Sequence, residues 1–316
     1  MTSSISQNCN TKSAPDSPGI ISDRILSGER ALFQARDLVI DRCIFENGES
    51  PLKEGRNLRL DRVSFKWKYP LWYCRNITVS DSAFLEMGRA GIWYTDDITM
   101  TGCLYEAPKG FRKVRRGRIT NVRFPNAQET LWNCEDMELE NVTARGDYFA
   151  MNLCRARISG LELVGNYGFD GARDIEISDS RLLTKDAFWN SENITIRNSF
   201  ISGEYFAWNS RNITLDNCTV DSLQGLCYIE GLTLRNCRLP GTSLAFEYCR
   251  NIDADIRGGI ASIFNPESGR ITADHVGELI LDPAKIDPAA TVITARNGTL
   301  PEPVTVPQEF QAKEPS

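Results

Sequence analysis

NITVSDSAF (76–84), NITIRNSFI (193–201), NITLDNCTV (212–220) and GLTLRNCRL (231–239) are copies of one pattern, and that pattern decides the fold. Looser copies fill the rest of the chain: DLVIDRCIF (37–45), NLRLDRVSF (57–65), DITMTGCLY (97–105), DMELENVTA (136–144) and DIEISDSRL (174–182). Successive starts fall at 37, 57, 76, 97, 116, 136, 155, 174, 193, 212, 231 and 251, a step of 19–21 residues with almost no insertion. A fixed period of this size is the signature of a solenoid. Within each copy the second and fourth positions are apolar (Ile77 and Val79, Ile194 and Ile196, Ile213 and Leu215), with Thr78, Thr195 or Thr214 between them. That alternation describes a strand with one buried face. Asp81, Asn198, Asn217 and Asn236 follow, short side chains that bond local backbone at a turn. A second short strand buries Cys43, Ser82, Cys103, Cys218 or Cys237. A third precedes the first, as PLWYC, GIWYT, TLWNC, AFWNS and YFAWNS.

Three short strands in a turn of about twenty residues predict an all-β fold, a single-stranded parallel β-helix in which each coil pairs with the next. Parallel crossovers are right-handed in nearly all cases, so the helix is expected to be right-handed, with about twelve coils of 19–21 residues. A leucine-rich horseshoe shares the period, but it requires leucine where these repeats carry Thr, Ser and Asn. The expected organisation is a disordered Ser/Asn/Pro-rich segment at 1–22, the β-helix with its terminal caps at 23–296, and a disordered Pro/Glu-rich tail at 297–316.

The strings GESPLKEGRNL (48–58), KYPLWYCRNI (68–77), KDAFWNSENI (185–194), GEYFAWNSRNI (203–213) and SLAFEYCRNI (243–252) resemble the domain-of-unknown-function 3737 family. The resemblance runs from about Ser27 to about Asp282. It implies a pectate-lyase-like right-handed β-helix of microbial origin, and it carries over no catalytic residue.

Composition narrows the function. The 316 residues carry a formal charge of −6, which argues against a general nucleic-acid binder. No apolar run approaches membrane-span length, and MTSSISQNCN lacks the basic start and apolar core of a signal peptide, so a cytoplasmic location is expected. Ten cysteines in a chain of this length suggest small hydrophobes in a narrow core rather than a disulfide scaffold. With a single histidine, His275, and no Cys/His cluster, neither a metal nor another cofactor is expected.

The third strand carries the candidate ligand face. Four residues before the repeat start stand Lys53, Trp72, Trp93, Arg112, Trp132, Met151, Asp170, Trp189, Trp208, Cys227 and Glu247. A column that accepts charge cannot be wholly buried. Its tryptophans are therefore expected to stack on an accessible face beside Asn133, Asn190 and Asn209. Aromatic planes beside amides suit a sugar, so the leading reading is binding of a carbohydrate or sugar-like metabolite through Trp72, Trp93, Trp132, Asn133, Trp189, Asn190, Trp208 and Asn209. The bland alternative is an aromatic ladder that only stabilises neighbouring coils. Glu129 with Asp147, and Asp186 with Glu204, fall on adjacent coils at glycosidase-like separations, which keeps a glycoside hydrolase or lyase open as a second reading. A structural or assembly module is the third, and homo-oligomerisation is left open. Residues 42–118 hold 15 basic and 9 acidic residues, densest in KGFRKVRRGR (109–118), so Lys109 and Arg112 are candidates to attract an anionic ligand.

Overall fold

The computed structural model describes residues 18–306, and the chain is a parallel β-solenoid of about fifteen turns. Its first face stacks strands such as Arg36–Asp41, Arg56–Asp61, Arg75–Ser80, Asp96–Thr101 and Arg115–Thr120 in strict register. Ile194 pairs with Ile213 and Ile213 with Leu232, all fully buried, so residues one period apart are touching neighbours. Every pairing among the named strands is parallel, and the crossover rule makes the helix right-handed.

The coil number exceeds the twelve read from the repeat because the ends have lost the consensus. Gly19–Ser22 pairs with Leu38–Asp41 as a full rung, although it lies inside the segment expected to be disordered. At the other end Gly269–Ala273 and Thr291–Ala295 continue the first face. Part of the expected tail also packs: Val304 exchanges backbone hydrogen bonds with Leu279 and Leu281, and Leu300 lies against the core. A terminal coil has no further coil to cover its inward side chains, so the chain folds back over it. The expectation of disorder for 1–17 and 307–316 falls outside the described residues.

Inside the coils, residues in the same position stack on each other. Phe45, Phe65, Phe84 and Tyr105 form one buried file with centroid spacings of 5.1, 4.7 and 4.5 Å. The Ser/Cys column follows one rule whichever residue fills it: Ser180 Oγ donates to Ser178 O at 2.6 Å, and Cys218 Sγ to Asp216 O at 3.4 Å. All nine described cysteines are free. Burial pushes several of the thiols up, to about 11 at Cys103 and Cys237 and about 12 at Cys74, Cys134 and Cys249.

The corners are held by amide ladders. Asn236 Nδ2 donates to Asn217 Oδ1 at 2.9 Å, Asn217 to Asn198 at 3.0 Å and Asn198 to Asp179 at 3.3 Å. Each of these residues has a positive φ of 50–54°, a left-handed turn that Asn and Asp tolerate best. The third face departs from the expected strand. It is regular only at Leu71–Trp72, Ile92–Trp93 and Phe111–Arg112. From Leu131 onward the equivalent residues (Ala150, Phe169, Phe188, Ala207) take positive φ, so the face continues as bent rungs that still exchange hydrogen bonds coil to coil.

Candidate functional site on the third face

The tryptophan column is half-buried and tied to the backbone. Trp72 and Trp93 stack at 5.1 Å with planes 6° apart. Their indole N–H groups donate to Ala90 O at 2.5 Å and Lys109 O at 2.9 Å, and Trp132 donates to Tyr148 O at 2.6 Å. The Arg112 guanidinium fills the rung between Trp93 and Trp132, 4.5 and 4.6 Å from their centroids. In this half the ring faces are spent on each other and on a cation. That matches the coil-stabilising ladder weighed against ligand binding, and it leaves edges rather than faces for a sugar.

Lys109 and Arg112 are spent as well. Both reach Glu129 Oε2, at 3.2 and 3.0 Å. The other arginines of the densest basic run are paired in the same way: Arg115 holds Asp96 through two bonds of 2.9 and 2.8 Å, Arg116 holds Asp97, and Arg118 holds Glu138. These guanidinium groups keep the carboxyls of Asp96 and Asp97 below the usual carboxylate range.

Of the two carboxylate pairs, both lie on adjacent coils: Glu129 N donates to Asp147 O and Asp186 N to Glu204 O. Their side chains differ. Glu129 is held by its two cations, and Asp147 Oδ1 accepts from Asn166 N and Nδ2 at 2.8 and 3.1 Å. Glu204 is paired with Lys185 at 2.7 Å. Asp186 is 3% exposed, and among the described residues it accepts no side-chain hydrogen bond and makes no ion pair. Burial raises its carboxyl above the usual range. Asp186 holds the rung position of Glu129, but one coil back the positions that carry Lys109 and Arg112 beside Glu129 are filled by Tyr167 and Asp170.

Near Asp186 the two indoles are not stacked face to face, although Tyr228 lies 4.8 Å from Trp208. Trp189 and Trp208 are 6.2 Å apart at 39°, and Tyr167 and Tyr205 stand edge-on to them at 6.2 and 5.9 Å. Trp189 donates to Tyr205 O at 3.2 Å. The asparagines form ladders of their own: Asn209 donates to Asn190 and Asn190 to Asp170, while Asn133 accepts from Asn152. The column, expected not to be wholly buried, is closed at one end. Cys227 and Glu247 are buried, the latter accepting from Gln224 Nε2 at 2.8 Å. Among the described residues no group of three His, Cys, Asp or Glu side chains could hold a metal ion, and no helix is long and apolar enough to cross a membrane.

The chain matches the protein family of unknown function DUF3737 over residues 19–294. It belongs to that family. No curated protein matches the sequence. Among solved structures, this DUF3737 chain is similar to the catalytic domain of a GH87 α-1,3-glucanase in complex with nigerose, at 10% identity and a TM-score of 0.33. That match covers 88% of this chain and 63% of the glucanase domain, so the chain spans under two thirds of that domain's length. It is also similar to a periplasmic alginate epimerase (11% identity, 89% of this chain and 79% of the other, TM-score 0.28). A third likeness is to the A-module of an Azotobacter vinelandii mannuronan C-5 epimerase (10% identity, 92% and 91%, TM-score 0.26). Sequence reasoning passed over Arg36, Arg56 and Lys113. The signal for the first two was an arginine at the same repeat position in consecutive copies.

Proposed function

We propose that this DUF3737 protein binds a carbohydrate on its third face, centred on Asp186, Trp189 and Trp208. The observation that carries the reading is the Asp186 carboxyl, on a residue only 3% exposed and with no side-chain hydrogen bond or ion pair among the described residues. Ligand hydroxyls arriving at the site would supply donors, and each hydrogen bond to a charged group contributes about 1.5–3 kcal/mol. The half-buried indoles of Trp189 and Trp208 beside it supply apolar surface, and Asn190 and Asn209 stand next to them in the chain. The test is titration with a panel of neutral oligosaccharides, followed by tryptophan fluorescence and calorimetry. Asp186→Ala and Trp208→Ala are expected to weaken binding at least about tenfold, the equivalent of one good hydrogen bond. A flat response across the panel, or unchanged binding by Asp186→Ala, sinks the proposal.

One observation favours the enzyme reading: burial raises the Asp186 carboxyl, and on the next coil Glu204 is paired with Lys185 at 2.7 Å. A raised carboxyl beside a second carboxyl in a different environment is the arrangement that a general acid and its partner require. On that reading Glu204→Gln abolishes glycoside cleavage and leaves binding intact.

A further inference from the structure

Along the outward column at the start of each first-face strand, the charges follow a rule. From Asp96 onward the column runs Asp96, Arg115, Glu135, Cys154, Arg173, Glu192, Arg211, Glu230 and Arg250, and no two neighbours share a sign. The register makes these residues direct neighbours, about 4.8 Å apart, so alternation turns the column into a ladder of opposite charges. At the other end the rule fails. Arg36 pairs with Arg56 and Arg56 with Arg75, three guanidinium groups in consecutive rungs. Like charges directly opposite are destabilising, and nothing local relieves them. Among the described residues Arg36 and Arg56 meet no carboxylate, and Arg75 reaches only Asp96, at 3.5 Å, where Arg115 already binds more closely.

A second set of cations adjoins the comb. Tyr73 and Tyr94 stack at 4.8 Å with planes 4° apart. Lys53 caps one side of the stack and Lys113 the other, 5.6 and 5.5 Å from the ring centroids. Neither ammonium has an acidic partner among the described residues. Tyr73 is 50% exposed and follows Trp72 on the outer side of buried Cys74, with Arg75 just beyond. The acids next to these cations in the sequence turn to amide donors instead of to them: Glu54 accepts from Gln34 Nε2 at 2.9 Å and Asp37 from Asn57 Nδ2 at 2.7 Å. Within the dense run 109–118 every cation but Lys113 is paired with a carboxylate, so the unpaired positive charge lies on Lys113 and on the coils before it.

We propose that Arg36, Arg56 and Arg75, with Lys53 and Lys113, form an anion-binding comb whose ligand is a polysaccharide bearing one carboxylate per sugar, lying along the rod axis. Guanidinium groups match carboxylates as two-point donors. The rung spacing offers one such donor per step of a chain whose charges recur at about the length of a sugar ring. The exposed tyrosine hydroxyls beside them can bond sugar hydroxyls. Nucleic acid fits worse, because the comb is short and the whole chain carries −6. The comb is separate from the Asp186 site: Trp72 and Trp189 are six rungs apart, roughly 29 Å.

The probe is polygalacturonate, compared with neutral dextran and with single-stranded DNA of equal charge. Polygalacturonate is expected to bind, with affinity falling as salt rises, and dextran is not expected to bind at this site. Arg56→Gln should weaken binding about tenfold, and Arg36→Gln/Arg56→Gln/Arg75→Gln should abolish it. The control Arg118→Gln should change nothing. Because the middle arginine is repelled from both sides, Arg56→Gln should also melt no lower than the parent, so loss of binding is not loss of fold. The proposal is overturned if polygalacturonate fails to bind at low salt, if the triple variant binds like the parent, or if DNA binds as tightly. Neutral oligosaccharide binding at Trp189 and Trp208, read by fluorescence, should persist in the triple variant, so the two sites fail or stand separately.

Discussion

The guanidinium of Arg112 lies 4.6 Å from the ring centroid of Trp132, and Trp93 closes its other side at 4.5 Å. One planar cation thus takes the place of an indole in an aromatic file, while Glu129 neutralises it from the edge at 3.0 Å. Lysine keeps the charge but has no plane to stack. Arg112→Lys is therefore expected to cost about 1–2 kcal/mol in denaturant unfolding, since each cation–π contact contributes about 0.5–1 kcal/mol or more. Arg112→Ala should cost about 2–3 kcal/mol, because Glu129 is then left half-buried with Lys109 alone. Equal stability of parent and Arg112→Lys would show that the stacking contributes nothing.

Asp186 gives a pH signature. Burial raises its carboxyl above the ordinary value of 3.8, so between that value and its folded value the native protein binds more protons than the unfolded chain. Stability contributed by this group therefore falls as pH rises through that window, the reverse of a salt-bridged aspartate. Asp186→Asn removes the titration. It is expected to raise the melting temperature at pH 7 relative to the parent and to narrow the difference towards pH 3–4. A melting temperature that falls at pH 7 would mean that the charged carboxylate is stabilised by something in the native protein.

The buried thiols predict chemical silence. Cys134 and Cys249 are fully buried, with thiols pushed to about 12, and Cys154 is the one described cysteine with partial exposure. The thiolate is the reactive form, so at pH 8 a soluble alkylating reagent should modify Cys154 long before Cys134 or Cys249. Denaturant should bring them to similar rates. Mass spectrometry of the alkylated peptides reads the order directly, and early labelling of Cys134 in native protein would contradict the packed core.

Much of this was legible because a solenoid turns spacing in sequence into adjacency. Ile194, Ile213 and Leu232 recur every 19 residues, and they touch. The first coil was missed because the strand GIIS (19–22) has a neighbour on one side only, and that relaxes the consensus, whereas TVITA (291–295) kept enough alternation to be read as a final strand. The site was harder to read. Spacing placed Glu129 and Asp186 in one column but did not show that Glu129 would be claimed by two cations and Asp186 by none, because that depends on how far long side chains reach across rungs. In the same way a count of charges pointed to 109–118, whereas pairing left the excess at Arg36 and Arg56.

Gly117 tests whether the core columns are as tightly coupled as the ladder implies. It stands where other coils carry Ile98 or Met137, in the middle of a buried strand, and a Cβ built on it would lie 2.4 Å from Met137 Cε. Met137 has extended into the space of the missing side chain. Gly117→Ala forces either Met137 or the rung to move, an overpacking that costs about 1–3 kcal/mol. Met137→Ala alone leaves a cavity and costs about 2–5 kcal/mol. If the two residues share one volume, the double variant Gly117→Ala/Met137→Val should lose less than the sum of Gly117→Ala and Met137→Val measured alone, with a coupling of at least about 1 kcal/mol. Denaturant unfolding of the four proteins closes the cycle, and strict additivity would mean that the space beside Gly117 is filled by something other than Met137.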